Sequence, residues 1–71
     1  MRELRALGEA IRRRRTAIGL SQEALAYSAG IDRSYMGGIE RGEHNVAVAN
    51  LLKICNCLEA VPSQLFADAG L

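Results

Sequence analysis

Hydrophobic residues recur along the chain at helical spacing, in short runs that glycines and polar residues separate. The first run lies on one stripe and predicts a helix over residues 3–17, which Gly19 ends. The members of this stripe are Leu4, Leu7, Ile11 and Ile18. Nowhere do hydrophobic and polar residues alternate as they do in a half-buried strand, so the pattern predicts an all-α protein.

A second and a third helix are predicted on either side of a tight turn. Ser21 can cap a helix over residues 21–28 and Gly30 can end it, because glycine tolerates positive φ. Asp32 can cap the next helix, residues 33–41, which Gly42 ends. The predicted inward residues of these two helices are Leu25, Ala26, Ala29, Met36 and Ile39. Two short helices joined in this way have a helix-turn-helix outline, in which the second helix enters the major groove of DNA.

Two further helices complete the pattern. Asn45 is predicted to cap a fourth helix that runs to residue 59, and Pro62 to be the first residue of a fifth. The residues predicted to face inward are Val48, Leu51, Leu52, Cys55, Leu58, Leu65 and Phe66. The sequence therefore predicts one domain over residues 1–71, built from five short helices.

Composition narrows the chemistry that this domain can perform. The two cysteines, Cys55 and Cys57, point about 200° apart on a helix, and His44 is the only histidine, so neither a zinc site nor a disulfide is expected. The cysteines are interpreted as small apolar fillers in a reducing compartment, and no cofactor or metal is predicted. The inventory also lacks a nucleophile with an evident base, so an enzyme is not expected.

Charge and segment composition give a location and a candidate surface. No signal peptide and no apolar run of about 18 residues is found, so the protein is expected to be soluble and cytoplasmic, without a membrane partner. The net charge is only +1, but four arginines stand together at residues 12–15. Such a run is either a solvated helix face or part of a nucleic-acid surface.

Two adjacent glycines, Gly37 and Gly38, interrupt the predicted third helix, and each costs roughly 1 kcal/mol relative to alanine. Steps of 100° from Met36 put both on the outer side of the helix, together with Ser34 and Arg41. Two explanations remain open. The glycines are tolerated, or their bare backbone allows the helix to approach bases or phosphates closely.

The run from residue 7 to residue 66 resembles the Cro/CI-type, or XRE-type, helix-turn-helix regulators of phages and bacteria. The matching pieces are an arginine four residues before "GLSQEALA", then "SYMGGIERG", "NLLKICNCL" and "VPSQLF". The form "DRSYMGGIERG" is similar to the controller proteins of restriction-modification systems, and small phage-type repressors share the short length. The resemblance implies a lambda-repressor-like fold and a transcriptional regulator that binds double-stranded DNA.

The same resemblance implies roles for individual residues. Base readout falls to Arg33 and Ser34, with Gly37 and Gly38 on the same helix. Gly38 departs from the family pattern, because relatives often carry a base-reading side chain there, and this shifts weight to DNA shape. The implied phosphate contacts are Ser21, Gln22, Tyr35, Arg41, His44 and Asn45. For Tyr35 the residues leave open whether the hydroxyl binds a phosphate or the ring packs across the helix corner.

The arginine run is divided by geometry and by the resemblance. Arg14 and Arg15 both border the hydrophobic stripe, and geometry does not choose between them. The resemblance pairs Arg15 with Glu40 in a mostly buried ion pair between the first and third helices. Arg12 and Arg13 are left for solvent or for distant phosphates.

One reading helix covers only a few base pairs, so a homodimer on a roughly palindromic operator is expected, with half-sites about 34 Å apart. The candidate interface residues, some of which could instead fill the core, are Leu58, Val61, Leu65, Phe66 and Leu71. RNA polymerase is a further candidate partner, no small-molecule effector is predicted, and association with the nucleoid of a prokaryotic or phage-infected cell is expected. The alternative is an antitoxin-like protein-interaction module of the same fold.

Overall fold

The computed structural model describes all 71 residues, which form five α-helices and no strand. In chain order the helices are α1 (Arg2–Ala17), α2 (Gln22–Ala29), α3 (Arg33–Arg41), α4 (Val48–Cys57) and α5 (Pro62–Asp68). The all-α prediction is confirmed. The first three helices lie within one residue of their predicted bounds, and α5 begins at Pro62 as predicted.

Local capping explains why the helix-turn-helix could be placed from sequence. The Ser21 hydroxyl accepts a hydrogen bond from the backbone N–H of Ala24 at 3.0 Å, and the Asp32 carboxylate accepts one from the N–H of Ser34 at 3.1 Å. Gly30 ends α2 with a left-handed backbone, φ 67°. These interactions involve only neighbouring residues, so the sequence pattern contains them.

The fourth helix is shorter than predicted. Asn45 does not cap it, because α4 begins at Val48 and Ala47 is its N-cap residue, two positions after Asn45. The backbone carbonyl of Asn45 accepts a hydrogen bond from the Tyr35 hydroxyl at 3.1 Å. Residues 43–47, here called the exit loop, therefore precede α4. At its other end α4 stops at Cys57, before Glu59 adopts a left-handed backbone with φ 54°.

Fourteen buried hydrophobic residues form one core among the five helices. They are Leu7, Ala10, Ile11, Leu25, Ala26, Ala29, Ile31, Met36, Ile39, Leu51, Ile54, Cys55, Leu58 and Leu65. Burial raises the pKa of the Cys55 thiol above its ordinary value, which keeps the thiol protonated and unreactive. Cys57 is half-buried against the same core.

Four residues predicted to face inward are exposed instead: Ile18, Val48, Leu52 and Phe66. Ile18 and Val48 lie at helix ends, where the neighbouring helices no longer cover them. Leu52 lies about 100° from Leu51 around α4, which turns it away from the buried stripe. The predicted stripe was therefore wider than the buried one.

The helices α1 and α3 cross at Gly8 with their backbones in contact. A Cβ added at Gly8 would overlap the carbonyl oxygen of Ile39 and lie 2.5 Å from that of Glu40. Gly42, at the end of α3, lies equally close to α1, because its Cβ would be 2.6 Å from the Cα of Arg5. Two glycines therefore set the distance between these helices.

Two arginines of α1 satisfy carbonyl groups at the ends of other helices. Arg13 Nη2 donates to the carbonyl oxygen of Asp68 at 3.0 Å, at the end of α5. Arg14 Nε donates to the carbonyl oxygen of Leu58 at 3.0 Å, and Nη2 donates to that of Glu59 at 3.2 Å. Helix ends leave such carbonyls without intrahelical partners. The Arg13 side chain is 60% exposed, as its assignment to solvent predicted, and the hydrogen bond to Asp68 lies at the surface.

We expect Gly8→Ala to destabilise the protein by about 3 kcal/mol, because the added methyl group meets backbone atoms that cannot rotate away. Urea unfolding followed by circular dichroism measures this change. The exposed neighbour variant Glu9→Ala is the control and should leave the midpoint nearly unchanged. A Gly8→Ala protein as stable as that control would contradict the backbone contact.

Candidate nucleic-acid interface

The side of α3 that faces away from the hydrophobic core carries five residues, here called the reading face: Arg33, Ser34, Gly37, Gly38 and Arg41. Of these, Arg33, Ser34 and Arg41 are exposed. The opposite side is fixed in the core by Met36 and Ile39, which are 0% and 3% exposed. This burial prevents rotation of the helix about its axis. The reading face is therefore held in one orientation relative to the rest of the domain.

The first turn of α3 carries an arginine side chain without a partner, followed by a serine whose hydroxyl proton already forms a hydrogen bond. The Arg33 side chain is exposed, and its guanidinium makes no hydrogen bond or ion pair within the chain. The Ser34 hydroxyl donates to Asp32 Oδ2, so only its lone pairs remain for another partner. Hydrogen bonds from the Ser34 hydroxyl and from the N–H groups of Tyr35 and Ser34 hold the pKa of Asp32 below its ordinary value.

The two glycines are not bare, contrary to the interpretation that their backbone is open for close approach. A Cβ on Gly37 would lie 3.0 Å from Arg41 Nη1 and 3.3 Å from Gln22 Oε1. A Cβ on Gly38 would overlap Cδ2 and Nε2 of His44. Both glycines are buried, but beneath polar side chains and not within the hydrophobic core.

The exit loop folds back onto the reading helix through Tyr35. The Tyr35 ring stacks on the His44 ring with a centroid distance of 4.8 Å and an interplanar angle of 21°. Its hydroxyl donates to the carbonyl oxygen of Asn45, so the hydroxyl proton is not free for a phosphate. Of the two roles left open for Tyr35, the structure has the packing role.

Arg15, Glu40 and Gln22 form one hydrogen-bonded cluster that joins α1, α3 and α2. Arg15 Nε and Nη2 donate to the two carboxylate oxygens of Glu40 at 2.7 and 3.0 Å, and both side chains are buried. The hydrogen bond and the charge of Glu40 raise the pKa of Arg15. Gln22 Nε2 donates to Glu40 Oε1 at 3.0 Å, which leaves its second amide proton available at the start of α2.

Arg41 ends the reading face with an exposed ion pair to Glu43. Nε and Nη2 of Arg41 lie 3.1 Å from the two carboxylate oxygens of Glu43. This hydrogen bonding raises the pKa of Arg41 and lowers that of Glu43. Because both groups are exposed, water and salt screen the pair, and another anion can compete for Arg41.

A polar cleft of about 330 Å³ opens between α1 and the helix-turn-helix, and only polar and charged residues line it. Its lining residues are Arg12, Arg15, Gln22, Glu40 and Arg41. Glu40 neutralises Arg15, whereas Arg12 is exposed and unpaired. The cleft therefore suits an anionic oxygen, and Arg12, which the sequence left for solvent or for distant phosphates, lines it.

The proposed dimer residues separate into two groups. Leu58 and Leu65 are 0% and 1% exposed and belong to the core of the single chain, so their assignment to a dimer interface was wrong. Val61, Phe66 and Leu71 remain exposed towards the C-terminus.

None of the five helices combines the length and the apolar character needed to cross a membrane.

Residues 6–67 match the family model described as a helix-turn-helix domain. The chain belongs to the helix-turn-helix family of DNA-binding regulators. Curated relatives of this helix-turn-helix protein include control proteins. This chain is 37% identical to control protein C.SmaI of Serratia marcescens, over 92% of this chain and 77% of the relative. It is 42% identical to control protein C.MunI of Mycoplasma, over 78% of this chain and 74% of that relative.

Solved structures of controller proteins share the fold of this helix-turn-helix protein. The crystal structure of the restriction-modification controller protein C.AhdI from Aeromonas hydrophila matches with a TM-score of 0.89 and 48% identity, covering 92% of this chain and 98% of that one. C.Esp1396I bound to a 25 base pair operator site matches with a TM-score of 0.83 and 33% identity, covering 94% and 88%. The resemblance to controller proteins drawn from the sequence is confirmed.

Acid should weaken the fold through Asp32. Because the folded pKa is lowered, Asp32 contributes stability above its unfolded pKa of about 4, and this contribution is lost as the pH falls through the folded pKa. Asp32→Asn keeps an acceptor but not the charge, so it should be less stable than the parent at pH 7 and equal to it in strong acid. Urea unfolding at several pH values tests this, and a constant gap at every pH would contradict it.

Removing one partner of the buried ion pair should cost about 3 kcal/mol, because Glu40→Gln leaves the Arg15 charge without a carboxylate. The double variant Arg15→Met with Glu40→Leu should recover most of this loss. Chemical unfolding measures both. Glu43→Gln, which breaks the exposed pair, is the control and should change the midpoint little. Equal effects of Glu40→Gln and Glu43→Gln would argue against the pair as an organising contact.

Proposed function

We propose that this helix-turn-helix protein is a sequence-specific, double-stranded DNA-binding transcriptional regulator of the restriction-modification controller class, and that it acts without catalysis. The proposal rests mainly on the arrangement of the reading face. One side of α3 is fixed in the core, while the other presents the unpaired Arg33 on an exposed first turn. The structure of a relative at 33% identity, C.Esp1396I, contains a 25 base pair operator site, which supports DNA binding by this chain.

Arg33 is the proposed direct reader of sequence. Its guanidinium has no partner within the chain, and a guanidinium can bind O6 and N7 of guanine in a bidentate way. Ser34 keeps only acceptor capacity, so it would receive a hydrogen bond from an amino group of adenine or cytosine. These two neighbours would therefore read different chemical groups in the major groove.

The proposed phosphate contacts surround this face. Gln22 has one free amide proton at the start of α2, where backbone N–H groups and the helix dipole also favour an anion, and Ser21 precedes it. Arg41 would exchange Glu43 for a phosphate, since that ion pair is exposed. Arg12, which faces the same cleft, is added to these contacts, and Asn45 remains a candidate from the exit loop. Such contacts fix position on the duplex without specifying sequence.

A homodimer is proposed as the binding unit. The exposed hydrophobic residues near the C-terminus, Val61, Phe66 and Leu71, are its candidate interface, and the exposed Leu52 adds to the apolar surface. Two subunits would bind half-sites about 34 Å apart on a roughly palindromic operator. RNA polymerase as a partner and association with the nucleoid are what this role implies.

The roles of Arg33 and Gln22 are separable by mutation. Arg33→Ala should weaken operator binding by about 1 to 3 kcal/mol and relax the sequence preference, because a base contact is lost. Gln22→Ala should weaken specific and scrambled duplexes by the same factor, because a phosphate contact is lost. Fluorescence anisotropy with both duplexes, after selection of an operator from random sequences, measures the two effects.

The matched control for charge is Lys53→Ala, an exposed residue of α4 outside the proposed contacts. It should change affinity less than either variant. Two results would oppose the proposal: identical behaviour of Arg33→Ala and Gln22→Ala on both duplexes, or a wild-type protein that prefers no duplex at any salt concentration. The second result would favour a protein-interaction module of the same fold.

A further inference from the structure

The imidazole of His44 lies directly on the backbone of Gly38. A side chain on residue 38 could not coexist with it, since a Cβ there would overlap Cδ2 and Nε2 of the ring. His44 is six residues further along the chain and belongs to the exit loop, not to α3. A loop side chain therefore occupies the space that a helix side chain would normally fill.

This placement of His44 is held from both sides. The backbone N–H of Glu43 donates to the carbonyl oxygen of Gly38 at 2.8 Å, and the carbonyl oxygen of Asn45 accepts from the Tyr35 hydroxyl at 3.1 Å. The ring itself stacks on Tyr35. Both neighbours of His44 are thus bonded to the reading helix, and the ring has little freedom to leave it.

Gly38 lies four residues after Ser34, about 40° around the helix and one turn further on. A group placed over Gly38 therefore projects from the same face as the proposed base readers. We propose that His44 is a base-reading residue, whose imidazole, held over Gly38, enters the major groove in place of a side chain on residue 38. This inference rests on the proposed DNA-binding function.

The chemistry of the imidazole fits this role. His44 is exposed, and neither ring nitrogen takes part in a side-chain hydrogen bond of the chain. Because Cδ2 and Nε2 are the ring atoms against Gly38, Nδ1 on the opposite edge is the nitrogen left for a base. Nδ1 of a neutral imidazole is a donor in one tautomer and an acceptor in the other, so it can meet either kind of group in the major groove. This role differs from the phosphate contact that the family resemblance implied for His44.

The inference makes Gly38 and His44 a coupled pair. Any Cβ at position 38 displaces the His44 ring. Gly38→Ala should therefore weaken DNA binding as much as His44→Ala does, although His44 is still present. In a protein that already lacks the imidazole, the three atoms nearest to the added Cβ are gone, so the same substitution should have little effect. Contacts of this kind give non-additive double variants, whereas independent sites give additive ones.

The experiment measures the affinity of four proteins, namely the parent, His44→Ala, Gly38→Ala and the double variant, for a selected operator and for a scrambled duplex. His44→Ala and Gly38→Ala should each lose about tenfold on the operator and less than about twofold on the scrambled duplex. The double variant should lose no more affinity for the operator than the single variant that binds the operator more weakly. Repeating the selection with His44→Ala should remove the preference at one base pair of each half-site.

Arg41→Ala is the matched control from the same surface, and it should weaken both duplexes alike, as a phosphate contact does. Circular dichroism should show the parental helix content in every variant, since alanine favours a helix more than glycine. Equal losses on both duplexes for His44→Ala, no loss, or additive losses in the double variant would overturn the inference alone. A parent protein without any sequence preference would overturn the proposed function and the inference together.

Discussion

Arg15 reaches from α1 to the carboxylate of Glu40 on α3, and Glu40 also accepts a hydrogen bond from Gln22 on α2. Three helices therefore meet at one buried carboxylate. A buried ion pair contributes less to net stability than to orientation, because desolvation offsets much of the attraction. Here the orientation is what matters, since the same cluster fixes the start of α2 and the end of α3 relative to α1. Gly8 completes this arrangement by allowing the two helix backbones to touch.

The helices and their caps could be predicted because they depend on residues close together in the sequence. Ser21, Gly30 and Asp32 act within a few residues of their own positions, and α3 was placed without error. The start of α4 could not be predicted, since its N-cap residue, Ala47, makes no side-chain capping bond that would mark it in the sequence, and the exit loop before it is bonded to Tyr35, ten residues earlier than Asn45. The importance of Gly8 was missed for the same reason: its signal is a glycine inside a helix, but its partner is another helix.

The candidate site was only partly predictable from residue type. The sequence predicted which residues share the side of α3 away from the core. The arginine that pairs with Glu40 was identified only through the family resemblance. The four consecutive arginines have three kinds of environment, because successive helical residues diverge by 100°. Arg13 and Arg14 bind carbonyls at helix ends, Arg15 is buried, and Arg12 faces the polar cleft. A count of positive charge could not have separated a structural arginine from an available one.

The two adjacent glycines combine a local cost with a gain that lies outside the helix. Each weakens α3 by roughly 1 kcal/mol, yet each allows a side chain from further along the chain to lie against the helix: Arg41, at the end of α3, over Gly37, and His44, in the exit loop, over Gly38. Stacking between Tyr35 and His44 and the backbone bond from Glu43 offset part of that cost. The reading face is consequently assembled from a helix and a loop together. Substitutions in the exit loop can then alter the reading face without changing any residue of the helix itself.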